Sequence, residues 1–80
     1  MYTVYILRTS KNTLYIGQTN NIDRRIAEHR SNSARGAKYM RYFTDFELVY
    51  QEEHKTRSDA MKREAELKKL TKSQKEQLIS

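Results

Sequence analysis

Tyr2-Thr3-Val4-Tyr5-Ile6-Leu7 and Thr13-Leu14-Tyr15-Ile16, the second closed by Gly17, are two β-branched and aromatic runs. Between them lies the polar stretch Thr9-Ser10-Lys11-Asn12. Residues of these types suit a pleated, half-buried surface, and a polar turn between two such runs predicts a β-hairpin. Downstream, Gln18 to Asn21 is a loop whose asparagines can cap a helix from about Ile22 to Arg30. Ser31 to Gly36 is small and polar and reads as loop, and Ala37 to Phe43 as a short helix. Phe46, Leu48 and Tyr50 alternate with polar neighbours, which predicts a third strand over Phe46 to Gln51 with those three on one face. Thr56 with Asp59 opens a helix to about Leu70, and Thr71 with Gln74 a last helix to Ile79. The order β-β-α-(α)-β-α-α is an α+β class, a small sheet with helices against it.

Composition narrows the function. The chain has 80 residues, of which 36% are hydrophobic, enough for one small domain spanning residues 1–80. It has no cysteine, so disulfides, Cys-based zinc sites and thiol nucleophiles are excluded. Two glycines and no proline leave no glycine-rich phosphate loop. No apolar stretch is long enough for a membrane span or signal peptide, so a cytoplasmic domain without a membrane partner is expected. Sixteen Lys and Arg against ten Asp and Glu give a net charge of +6, which points to a polyanion as partner. That excess lies entirely in residues 1–44, whereas residues 45–80 carry eight charges of each sign.

Three sets of residues could carry chemistry. Tyr5 and Tyr15 share a face if paired residue numbers sum to 20, which sets them opposite, or to 22, which sets them diagonally. Gly17 lies on that face and leaves room for a ligand or a backbone to approach. Two strand aromatics packed in a core give the same pattern. On the first helix Ile22 and Ile26 mark the buried face. Arg25 and His29 fall at its edge, one turn apart, while Arg24 points to solvent. An arginine at such a boundary suits phosphate, because its planar fork holds two oxygens at once; it also suits an apolar stem lying along the core. On the later helix Ala60, Met61 and Leu67 mark an apolar arc, with Glu64 inside it and Glu66 on the far side. An inward carboxylate costs several kcal/mol unless paired or metal-bound. Lys68, four residues on, could pair with it. His54 sits in a charged stretch and is expected in solvent. Arg35, Lys38, Tyr39, Arg41 and Tyr42 interleave cations with rings, as phosphate contact and base stacking require, or as a solvated basic loop shows.

Thr3-Val4-Tyr5, Tyr15-Ile16-Gly17, Arg25 on the next helix and Glu64 on a later one together resemble the GIY-YIG nuclease superfamily. The likeness extends over nearly the whole chain and is nearest to small stand-alone bacterial domains of that type. It implies a three-stranded antiparallel sheet flanked by helices. It also implies that Tyr5 and Tyr15 are the motif tyrosines, Arg25 the phosphate-binding arginine and Glu64 the metal ligand. His29 matches a histidine found at this position in some members. Thr3 stands where the first motif has glycine, and Gln74 and Gln77 are the nearest amides to the asparagine that many members carry after the glutamate. The implied activity is hydrolysis of a phosphodiester, in DNA, with one divalent cation, Mg2+ or Mn2+. Gly17, Arg35, Lys38, Tyr39 and Arg41 would then lie along the nucleic acid. A monomer is expected, with a protein partner supplying specificity where needed. Two other readings fit the same charge: a nucleic-acid-binding module without cleavage, and a partner-docking domain using its last helices.

Overall fold

The computed structural model describes residues 1–30 and 46–80. Its elements are β1 (Tyr2–Thr9), β2 (Leu14–Thr19), α1 (Ile22–Arg30), β3 (Phe46–His54), α2 (Arg57–Lys68) and α3 (Lys72–Ile79). The three strands form one antiparallel sheet in the order β2-β1-β3. The expected Ala37 to Phe43 helix, Arg35, Lys38, Tyr39, Arg41 and Tyr42, and the His29 side chain lie outside the described residues.

β1 is the central strand, and its two faces belong to two cores. Val4 and Ile6 are buried with Ile16 of β2 and with Ala60 and Leu67 of α2, while Leu70, Leu78 and Ile79 pack around them. On the other face Tyr5, Leu7 and Phe46 are buried against Tyr15 and against Ile22 and Ile26 of α1. A helical layer on each side explains why the strand reads as a near-continuous apolar run rather than an alternation. Burial is complete at Leu67. Leu67→Ala should therefore cost about 2–5 kcal/mol in chemical unfolding. Met61, which helical phase sets on the apolar arc, is instead 50% exposed. Its replacement by alanine should stay within about 0.5 kcal/mol.

All three strands outrun their expected ends. β1 continues to Thr9, β2 passes through Gly17 to Thr19, and β3 reaches His54. Neighbouring strands supply hydrogen bonds that local composition does not announce. The hairpin turn closes with Thr9 and Thr13 bonded across it, and Asn12 takes a positive φ of 62°, which asparagine tolerates. The predicted single face of Phe46, Leu48 and Tyr50 does not hold. The β1–β3 register shifts between Ile6 and Leu7, pairing Ile6 with Tyr50 but Leu7 with Leu48. A bulge of this kind moves every later side chain to the opposite face. Phe46 thus packs with Tyr5, Tyr50 packs with the α2 core, and Leu48 is left 39% exposed.

The starts of α2 and α3 are each capped by threonine. Thr56 accepts from the Asp59 amide, but only Thr71 and Gln74 complete a reciprocal box. α2 stops at Lys68, two residues before the expected Leu70, where the Lys69 amide bonds back to Glu66 and Leu67.

Two ion pairs tie the helices to the sheet. Arg8 donates to both oxygens of Glu76 at 2.8 and 2.6 Å, linking β1 to α3. Glu52 accepts from Tyr50 and, at 2.7 Å, from Arg63 Nε, and lies 2.9 Å from His54 Nε2. His54 is therefore a half-buried partner of Glu52 rather than a solvated side chain. Burial of Glu52 works to raise its carboxyl, but the bonds from Tyr50, His54 and Arg63 outweigh it and hold the group low. The Arg8 bond holds Glu76 low as well. A folded-state value below the ordinary 4.5 means stability that is complete above that pH and lost as pH falls through the lowered value. The thermal midpoint should accordingly drop from about pH 4.5 downward, and Glu52→Gln should flatten that acid limb.

Candidate active site

The β1–β2 register pairs Tyr5 with Gly17 and Leu7 with Tyr15, so paired numbers sum to 22 and the tyrosines are diagonal. Their ring centroids lie 6.4 Å apart, tilted by 38°. Gly17 has a different purpose from the one its position suggested. A Cβ there would stand 2.6 Å from the Tyr5 hydroxyl oxygen and 2.8 Å from Cζ. The space is already filled by the Tyr5 ring, which leans across β2. The missing side chain admits a tyrosine rather than a ligand.

That lean carries the Tyr5 hydroxyl toward the outer edge of the sheet. Arg25 meets it from α1, where Asn21 caps the helix by accepting from the Arg24 amide at 3.1 Å. The Arg25 guanidinium donates to the Tyr5 oxygen and also lies 3.6 Å from Glu28. Arg24 is exposed, as the helical phase requires. Burial pushes the Tyr5 phenol up to about 12, against the opposing bond from Arg25, and the nearby Tyr15 and Glu64 add to the rise. Tyr5 therefore holds its proton at neutral pH in the free protein.

Glu64 comes to this place from the opposite layer. Its helix, α2, packs on β2 and β1, and its carboxylate is close enough to act on the Tyr5 hydroxyl. Glu64 is not sealed in the core: its side chain is 22% exposed and lies 2.9 Å from Lys68 Nζ, whose own side chain is 58% exposed. Lys68 also lines a depression with Leu14, Tyr15, Ile16 and Lys75. Tyr15 and Ile16 point to opposite faces, so this depression straddles the edge of β2. Tyr5, Tyr15 and Arg25 thus reach that edge from one face and Glu64 from the other. Nothing in the local pattern of α3 distinguishes Lys75, which only the packing of α3 brings here.

The residues suit a hard cation of limited protein ligation. Glu64 already engages one cation, the Lys68 ammonium, in a half-open position. Among the described residues no three His, Asp or Glu side chains converge to cage a metal. A single carboxylate with room for water is the arrangement that Mg2+ accepts, since it dehydrates reluctantly.

A fold of this topology with these residues at one sheet edge defines a GIY-YIG catalytic domain. The family of that description matches residues 1–77, and the chain belongs to it. A UPF0213 protein of Natronomonas pharaonis is 46% identical over 77 residues, covering 96% of this chain and 88% of its own length. A UPF0213 protein of Clostridium perfringens is 46% identical over 80 residues, covering 100% and 84%. Two solution NMR structures share the fold. A UPF0213 protein of Bacillus halodurans superposes with a TM-score of 0.62 at 40% identity, covering 99% of this chain and 83% of that one. A protein of E. faecalis does so with 0.66 at 38% identity, covering 98% and 81%. No helix among the described residues is long and apolar enough to cross a membrane.

Proposed function

We propose that the chain is a divalent-metal-dependent endonuclease that hydrolyses phosphodiester bonds in DNA. The observation that carries this reading is the meeting of Tyr5, Tyr15, Arg25 and Glu64 around the edge of β2. Glu64 would hold Mg2+ or Mn2+, which supplies positive charge to the scissile phosphate and the leaving oxygen. Arg25, a planar donor beside Tyr5, neutralises charge that grows on the phosphoryl oxygens. Tyr5 is buried and protonated, and its hydroxyl orients Arg25. Tyr15 lines the open depression where water reaches it and, acting as its phenolate, would take the proton from the attacking water and become the phenol as the phosphorus–oxygen bond to the leaving group breaks. Such a base contributes about 10²–10⁴-fold.

Incubation of the purified chain with plasmid DNA, single-stranded DNA and RNA, with Mg2+, with Mn2+ and with chelator, tests the reading. Metal-dependent nicking or cleavage of DNA is the expected result. Tight binding with no product under any metal would replace it with a binding module, and cleavage confined to RNA would change the substrate.

A further inference from the structure

The outer edge of β2 carries two adjoining depressions. One holds Lys68 and Lys75 beside Leu14, Tyr15 and Ile16. The other holds Lys11, Lys72 and Lys75 and shares Leu14 with the first. Four lysines therefore follow one line from Tyr15 to the hairpin turn. They come from three separate segments, the turn after β1, the end of α2 and α3, so the line exists only in the folded chain.

The acidic groups beside this line are already engaged. Glu64 holds Lys68 at 2.9 Å, and Glu76 accepts both bonds from Arg8. Lys72 Nζ donates to the Asn12 carbonyl at 2.8 Å, which fixes its ammonium over the turn. Among the described residues no ion pair involves Lys11 or Lys75. Lys11 and Lys75 thus stand on this side with no carboxylate engaging them among the described residues, beside the Glu64-paired Lys68 and the turn-bonded Lys72. A single compact anion would need convergent donors; a row of cations instead matches the regular anions of a phosphodiester backbone.

We infer that Lys11, Lys68, Lys72 and Lys75 bind the sugar-phosphate backbone on one side of the scissile bond. The inference rests on the proposed nuclease reading for its starting point at Tyr15, but binding along the line requires no cleavage.

Fluorescence anisotropy with fluorescein-labelled DNA, in chelator and across a salt series, tests it. The Lys11→Gln/Lys75→Gln variant is compared with Lys55→Gln/Lys62→Gln, which has the same net charge. Lys55 and Lys62 are exposed, and Lys62 lies on the side of α2 opposite Ala60 and Leu67. The first variant should bind more weakly. Its salt slope should be shallower by about 0.9 for each phosphate it no longer neutralises on duplex DNA, and by about 0.7 on a single strand. The second should follow the parent chain. Equal weakening in both variants, or none in either, would overturn the lysine line. A parent chain that binds through these lysines yet cuts nothing sinks the hydrolytic reading alone. A chain that cuts while binding ignores Lys11 and Lys75 sinks the lysine line alone.

Discussion

Arg25→Ala should lower metal-dependent DNA cleavage by about 10²–10³-fold, the loss seen when a donor aimed at transition-state charge is removed, and Glu64→Ala should lower it by at least about as much, because the cation loses its carboxylate. Their immediate controls are Arg24→Ala and Glu66→Ala, exposed positions on the same helices, which should cleave as the parent does. The paired design matters because each control removes the same charge from the same element. Glu64 is partly exposed and its ion pair is with the exposed Lys68, so its loss should leave the circular dichroism and thermal midpoint near those of the parent. Equal product from the parent and from Glu64→Ala would point to a contaminating nuclease and defeat the assignment of Glu64.

Gly17→Ala should damage stability and activity together. The added carbon would fall 2.6 Å from the Tyr5 hydroxyl and 2.8 Å from Cζ, inside any permitted contact. A surface tyrosine would swing away, but Tyr5 is 1% exposed and packed among Leu7, Phe46, Ile22 and Ile26. The ring must tilt within a closed core, at a cost of about 1–3 kcal/mol, and its hydroxyl leaves Arg25 as it does so. The clash can be isolated by a double-mutant cycle in urea. In a Tyr5→Ala background the same Gly17→Ala change meets no ring. It should then be neutral or stabilising by about 0.5–1 kcal/mol, because alanine loses less backbone entropy than glycine in a strand. A destabilisation of equal size in both backgrounds would show that Tyr5 is not what requires the glycine.

Much of this arrangement is legible along the chain because its signals are local. The hairpin follows from two β-branched runs about a polar turn, and both threonine caps from residues three positions apart. Helical phase alone separates Arg25 from Arg24 and Glu64 from Glu66, since neighbours on a helix differ by about 100°. The errors have a common source. Met61 is placed inward by the same phase, yet α2 buries a narrow stripe, Ala60 and Leu67, and leaves Met61 in water. Phe46 and Tyr50 lie four residues apart on an alternating strand, yet a register shift opposite Ile6 and Leu7 sends them to different cores. His54 stands in a run of charges, yet finds Glu52 two residues back on the same strand face.

By itself, then, the sequence determined the type and order of the described elements, the residues eligible for a site and the family to which the chain belongs. Those depend on short-range preferences and on motif spacing, which need no knowledge of distant contacts. Only the tertiary structure decided that the β1–β2 register sums to 22, that Gly17 houses the Tyr5 ring, and that Glu64 reaches the tyrosines around the edge of β2 from the opposite layer. It alone brought Lys11, Lys72 and Lys75 into line with Lys68. Strand register, bulge position and helix docking are set by the joint packing of residues far apart in sequence, and no local window contains both partners.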